Sequence, residues 1–406
     1  MGEGLATLSW LDFASWDRER ALDIIAQLRE KETRDELGLG VIRDGFSDRL
    51  FPGTSTLQTR ARYFLFVPWI YQDLERRRTP SSEFALKARR AELRLCEQLL
   101  ANGEHEGVIG RVAGRNLKRL PSSIYWLGLE SWGIKLDARG QADYVRGLDR
   151  WYARQDQTER ILRGDEAEQR RFANWDSRIP APPDDFAQSA TLALTRDEAK
   201  YLADKIGARH ADSLLFRMIA SKSGVADVSW PWEWEPLSTA PDKLQALVSH
   251  ARNFSLVTEG AVLLYNLILA EMRTEGGNPD LFRDELTGWV ARIEDQREAL
   301  AAWNIDEFHA HLDAMELPRG GRTRRFVDEW LGIVMDPTLR SLAAAGPTRS
   351  LIRDREIQLK GGLARVRGGQ PLELWSGGSG LGPFNYRWQR VGRIIADIRL
   401  ALGKEG

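Results

Sequence analysis

Cysteine is almost absent: Cys96 is the only one in 406 residues. That excludes a disulfide framework and any zinc site built on several cysteines. Histidine is scarce too, with five in the chain. None is followed two places later by lysine, the pairing in which a phospholipase-D-type phosphodiesterase uses histidine as nucleophile and lysine on the phosphate. No His-Glu-x-x-His occurs, which excludes a zincin, and no G-x-x-x-x-G-K-[ST] occurs, which excludes a P-loop. The run Gly377–Leu381 misses the last glycine of a nucleophile elbow. Gly38-x-Gly40-x-x-Arg43 and Gly380-x-Gly382-x-x-Asn385 both fail the dinucleotide fingerprint at its third glycine. The N-terminus has neither the basic nor the apolar region of a signal peptide, and Ala6 stands where myristoylation needs Ser or Thr. The longest uncharged stretch, Leu374–Tyr386, is Gly-rich and well short of the roughly 20 apolar residues of a membrane span. These absences predict a cytoplasmic protein with no membrane contact, no cofactor and no metal.

Net charge is also lacking. With 58 basic and 59 acidic side chains the chain carries −1, so it is no uniformly basic nucleic-acid binder. The distribution is uneven, however. Residues 55–120 hold 13 basic and 7 acidic side chains, and residues 340–406 hold 12 and 5. The rest of the chain is therefore strongly acidic. Two basic segments on an acidic body suit a nucleic-acid partner, or they dock on the protein's own acidic part. Only ten of the basic residues are lysine. Arginine forks match phosphate and carboxylate, although a GC-rich genome gives the same bias.

What is present is helix signal. The chain is 42% hydrophobic with mean hydropathy −0.42, a core-forming composition, and its length predicts two or three domains. Helical spacing predicts elements at Ser15–Glu32, Val41–Leu50, from Ser55 onward with Pro68 kinking or ending it, and from Ser81 through Leu99. Pro121-Ser122 opens a helix through Trp132, and Thr195 with Glu198 reads as a capping box. Residues 242–272 form one long helix or two. Only residues 362–375 suggest strands, read as a small hairpin about Gly368-Gly369. The fold class expected is mainly α, multi-helical, with that one hairpin near the C-terminus. Pro180, Pro182 and Pro183 mark a linker. The expected domains are 1–178, 184–340 and a basic segment 341–406 packed on the preceding domain.

Candidate binding residues follow from the basic segments. Arg60 and Arg62 follow the Pro52-Gly53 turn and Gln58, in the manner of a helix-turn-helix reader. Lys118 and Arg119 precede the helix opened by Pro121, where phosphate oxygens are welcome. Arg387, Arg390 and Arg393 recur at spacing three along the last helix, beside an apolar stripe. Structural ion pairs, a buried aromatic helix and a solvated face are the respective alternatives. Two near misses carry little. Glu198-x-Lys200 has a nuclease-like spacing but lies on a helix, where residues two apart diverge. The same geometry argues against a metal at His309-x-His311, flanked by Asp306 and Asp313.

The strings WLDF (10–13), 33–71, IYWLGLESWGI (124–134), EGAVLLYNLILAE (259–271) and FNYRWQRVGRIIADI (384–398) resemble an uncharacterised bacterial domain-of-unknown-function family. Members of that family occur beside helicase and phospholipase-D-like genes in anti-phage defence loci, including the type called Azaca. The resemblance implies an accessory, non-catalytic subunit that binds DNA or RNA, a helicase or phospholipase-D-like nuclease partner, or both. It brings no catalytic residue. The alternative is an enzyme acting on phage nucleic acid, with an unrecognised site around the Gly-rich loop and Arg387.

Overall fold

The computed structural model describes residues 35–161, 173–225, 228–273, 276–315, 321–342 and 345–403. The helix expected at Ser15–Glu32 lies outside them. The main helices are α1 (Gly40–Leu50), α2 (Tyr63–Arg76), α3 (Ser81–Ala101), α4 (Pro121–Ser131), α5 (Gln141–Arg146), α6 (Leu148–Ile161), α7 (Arg196–His210) and α8 (Leu214–Ala220), followed by α9 (Asp242–Met272), α10 (Pro279–Asp295), α11 (Ile305–Asp313), α12 (Gly321–Met335), α13 (Gly346–Lys360) and α14 (Trp388–Ala401). The fold is mainly α, as expected. No strand occurs among the described residues; one isolated bridge joins Lys135 to Trp175.

The hairpin expected at 362–375 is therefore wrong. That stretch forms 3-10 turns at Gly361–Leu363 and Arg365–Arg367 and a helical turn at Gln370–Glu373. The reason lies in the hydrogen bonds. The fully buried Glu356 carboxylate accepts the N–H groups of Arg365 (3.1 Å) and Val366 (3.0 Å), which a strand ladder would have used. Pro371 removes a further donor. The helix expected from Ser55 also begins later, at Tyr63, because Gln58 holds the preceding turn: its amide donates to Gly53 O and its Oε1 accepts Ser55 N–H. Pro68 neither ends nor replaces α2, which runs on to Arg76.

The chain divides into two compact units. One comprises Asp35–Gly45 with Ser249–Phe384, the other Phe46–Val248 with the C-terminal residues from Asn385. The first is organised by tryptophans. The indoles of Trp289 and Trp330 stack (6.0 Å) and donate to Leu256 O and Val257 O on α9. Helix α9 is long and apolar enough to cross a membrane, so counting uncharged residues overlooked it; 83% of its apolar window is buried, as in a core helix.

In the second unit α2 packs on α3 and α4, and α14 packs on α7 and α8. Its core is aromatic: Tyr71, Phe84, Trp126, Tyr144 and Trp175 cluster at ring distances of 5.2 to 6.1 Å. Such pairs add about 0.5–1.5 kcal/mol each beyond the burial of their area. Gly128 lets α4 approach the Pro52-Gly53 turn, since a Cβ there would lie 2.3 Å from Gly53 O. The proline-rich stretch from Ile179 runs within this unit, and Trp69 Nε1 donates to Pro180 O (2.7 Å).

Candidate nucleic-acid interface

The sequence-predicted arginines divide into paired and open ones. Arg60 Nε donates to both oxygens of Asp397 (3.0 and 2.9 Å), and Asp397 also accepts Ala61 N–H. Arg62 is buried: Nη2 meets Glu198 Oε1 at 2.8 Å and Nη1 donates to Thr191 O and Oγ1. Glu198 is held in turn by the capping box, in which Thr195 N–H donates to its Oε2 and Thr195 Oγ1 accepts Glu198 N–H. That leaves nothing of the nuclease-like Glu198-x-Lys200 pair. Arg387 has a left-handed backbone (φ 68°) and bonds Asp48 (2.6 Å) and Thr54 O (2.7 Å). Arg393 pairs with Glu106. Lys118, Arg119 and Arg390 are exposed. The structure does not gather the seven candidates into one surface, and four of them bind the protein itself.

A different set converges within the 46–248 unit. On α3, Lys87, Arg90 and Arg94 recur at helical spacing and share one groove of about 480 Å³. Arg76 and Arg77, from the end of α2, line its other wall, with Pro182, Pro183 and Phe186 closing it. Arg76 and Arg77 share a single carboxylate, Asp73, and Lys87 pairs with Glu83. Arg90 and Arg94 are exposed and have no acidic partner among the described residues. Asp184 lines the groove as well, so five cations face the carboxylates of Asp73 and Asp184; the groove stays electropositive, with Arg90 and Arg94 placed to meet phosphate.

Trp69, Arg76 and Pro182 also border a second cavity of about 590 Å³. Its walls are Trp69, Trp151, Tyr152 and Trp175, of which Trp151 is the most open ring. Glu75 contributes the acidic group. Tyr144 Oη, Asn174 Nδ2 and Trp175 Nε1 all donate to its Oε1, the last two at 2.9 and 3.1 Å. Among the described residues no donor reaches Oε2. Burial pushes this carboxyl above its usual value, against the pull of the three donors. A basic groove bordering an aromatic pocket can hold phosphates in one part and a stacked ring in the other.

The 249–384 unit offers one cluster of ligand-type side chains, His250, Glu307 and His311, whose donor atoms lie within 4.8 Å of one another. Its chemistry does not suit a cation. The Trp303 indole N–H donates to His250 Nδ1 (2.8 Å), which forces the ring proton onto Nε2. Nε2 then faces Glu307 (3.7 Å) with a hydrogen rather than a lone pair. His309 points elsewhere, to Asp328 at 2.8 Å. The Gly-rich loop is pinned rather than open: Asn266 bonds both the N–H and the C=O of buried Ser379, and Arg365 donates to its hydroxyl.

The groove residues were within reach of the sequence. The run Arg76-Arg77-Arg78 and the spacing of Lys87, Arg90 and Arg94 lie in the basic segment 55–120. The pocket was not, because Trp69, Trp151 and Trp175 meet only in the folded unit.

Residues 5–401 match the Family of unknown function DUF6361, and the chain belongs to that family. No curated protein and no solved structure matches it.

Proposed function

Starting from membership of that family, we propose that this chain is an accessory, non-catalytic subunit that binds single-stranded nucleic acid in the α2–α3 groove. The observation that carries the reading is the juxtaposition of that basic groove with the aromatic pocket across Trp69, Arg76 and Pro182. Proteins that bind single strands combine a positive track for the backbone with aromatic rings on which bases stack. The resemblance noted in the sequence supplies the rest of the proposal: action in anti-phage defence, in the cytoplasm, beside a helicase or phospholipase-D-like nuclease. Co-purification from the native operon tests that part, and absence of any such partner would count against it.

Fluorescence anisotropy with labelled single-stranded DNA and RNA tests the binding. Arg90 and Arg94, with partial help from Arg76 and Arg77, provide a footprint of about two to four phosphates. At about −0.7 per phosphate for single strands, log K against log salt should slope by about −1.4 to −2.8. Arg90→Gln with Arg94→Gln should flatten the slope by about 1.4. No binding at low salt to either polymer, or an unchanged slope in the double variant, would overturn the reading.

A further inference from the structure

The aromatic pocket carries information that the groove does not. Its one carboxylate is asymmetric, since three protein donors converge on Glu75 Oε1 and none of the described residues donates to Oε2. Building on the single-strand reading, we infer that this pocket takes one unstacked nucleobase and selects bases that carry an exocyclic amino group over thymine and uracil. The occupant is a ring because Trp69, Trp151, Tyr152 and Trp175 form the walls. A cationic occupant, the usual guest of aromatic walls with a carboxylate, is disfavoured because Arg76 and Arg78 also border the cavity. A base whose backbone phosphate meets Arg76 satisfies both features; Arg78 is already paired with Asp156 and lies over the Tyr152 ring (5.9 Å).

The selectivity follows from donor and acceptor chemistry. In the carboxylate form Oε2 can only accept. Cytosine and adenine present an amino group to a single acceptor, and guanine presents N–H donors on the same edge. Thymine and uracil offer one ring N–H flanked on both sides by carbonyl oxygens, which the carboxylate repels. Glu75 is already fixed in position before any base arrives. Helix α2 carries it, and Tyr144, Asn174 and Trp175 hold its other oxygen, so little side-chain freedom remains to be lost on binding.

The test compares short oligo(dC) with oligo(dT) on the full chain, read by tryptophan quenching and by anisotropy. Oligo(dC) should bind about tenfold tighter, the effect of one charge-assisted hydrogen bond. Oligo(dC) carrying N4,N4-dimethylcytosine, which lacks both amino hydrogens, should fall to the oligo(dT) level without any change to the protein. Glu75→Gln keeps an oxygen for the three donors and puts an NH₂ where Oε2 was, so the preference should reverse towards oligo(dT). Equal binding of oligo(dC) and oligo(dT) with a normal salt slope would overturn the base pocket and leave the groove reading standing. Conversely, no oligonucleotide binding, but stronger quenching by CMP than by UMP, would remove the groove and keep the pocket. Equal losses for both oligonucleotides in Glu75→Gln would make Glu75 a structural residue and overturn the selectivity.

Discussion

Arg62 looks like a base-reading arginine in sequence and is an internal clamp in the structure, and the two roles give opposite experimental results. Its guanidinium lies over Phe66 (5.5 Å) and Trp69 (5.9 Å), meets Glu198 at 2.8 Å and donates to Thr191. Both partners of the ion pair are buried, with side-chain exposures of 7% and 4%. Removing one partner of such a pair leaves an uncompensated charge and costs about 3–5 kcal/mol. Arg62→Met should therefore destabilise the chain by about that amount in urea titrations followed by tryptophan fluorescence. Glu198→Gln, which preserves the capping role of the side chain, should cost a similar amount by stranding Arg62. The double variant should cost far less than the sum, a coupling of about 2 kcal/mol or more. Below the unfolding transition, Arg62→Met should leave the salt slope of single-strand binding unchanged. A cost below about 1 kcal/mol, strict additivity, or a flattened salt slope would refute the clamp.

Replacing Arg387, Arg390 and Arg393 together with glutamine should lower the melting temperature, because Arg387 loses Asp48 and Thr54 and Arg393 loses Glu106. The salt slope should change by less than one phosphate; a larger change would return the C-terminal helix to the binding surface. Glu92 gives a pH signature. Burial pushes its carboxyl up to about 7, against the donors of Ser122. The native state thus keeps a proton that the unfolded chain releases from about pH 4.5, so stability falls as pH rises from about 4.5 to 7. The full contribution is about 3 kcal/mol. His210 and His250, held low by burial, act in the opposite sense, so the difference between wild type and Glu92→Gln isolates the carboxyl's share. Identical pH profiles for the two proteins would contradict it.

Local signals were legible in the sequence. Thr195 and Glu198 form the reciprocal cap that their spacing announces, and Pro121 occupies the first turn of α4. Both depend on residues within one turn of each other. The signals that misled depend on distant groups. Gly368-Gly369 looks like a hairpin turn until Glu356 takes the neighbouring N–H groups. Arg60 looks like a ligand-binding residue until Asp397, 337 positions away, meets it. The candidate site shows the same split: the arginines of α2 and α3 follow from spacing, whereas the Glu75 pocket draws on α2, α6 and the stretch around Asn174 and cannot be assembled from any one of them.

The most direct test of the account is where a bound strand touches the chain. Single-stranded DNA containing iododeoxycytidine, irradiated in complex with this chain and mapped by mass spectrometry, should give adducts on Trp151 or on the peptide that carries Trp69. Adducts confined to Lys118–Arg119 or to the region of Arg390, with none at the pocket walls, would contradict it.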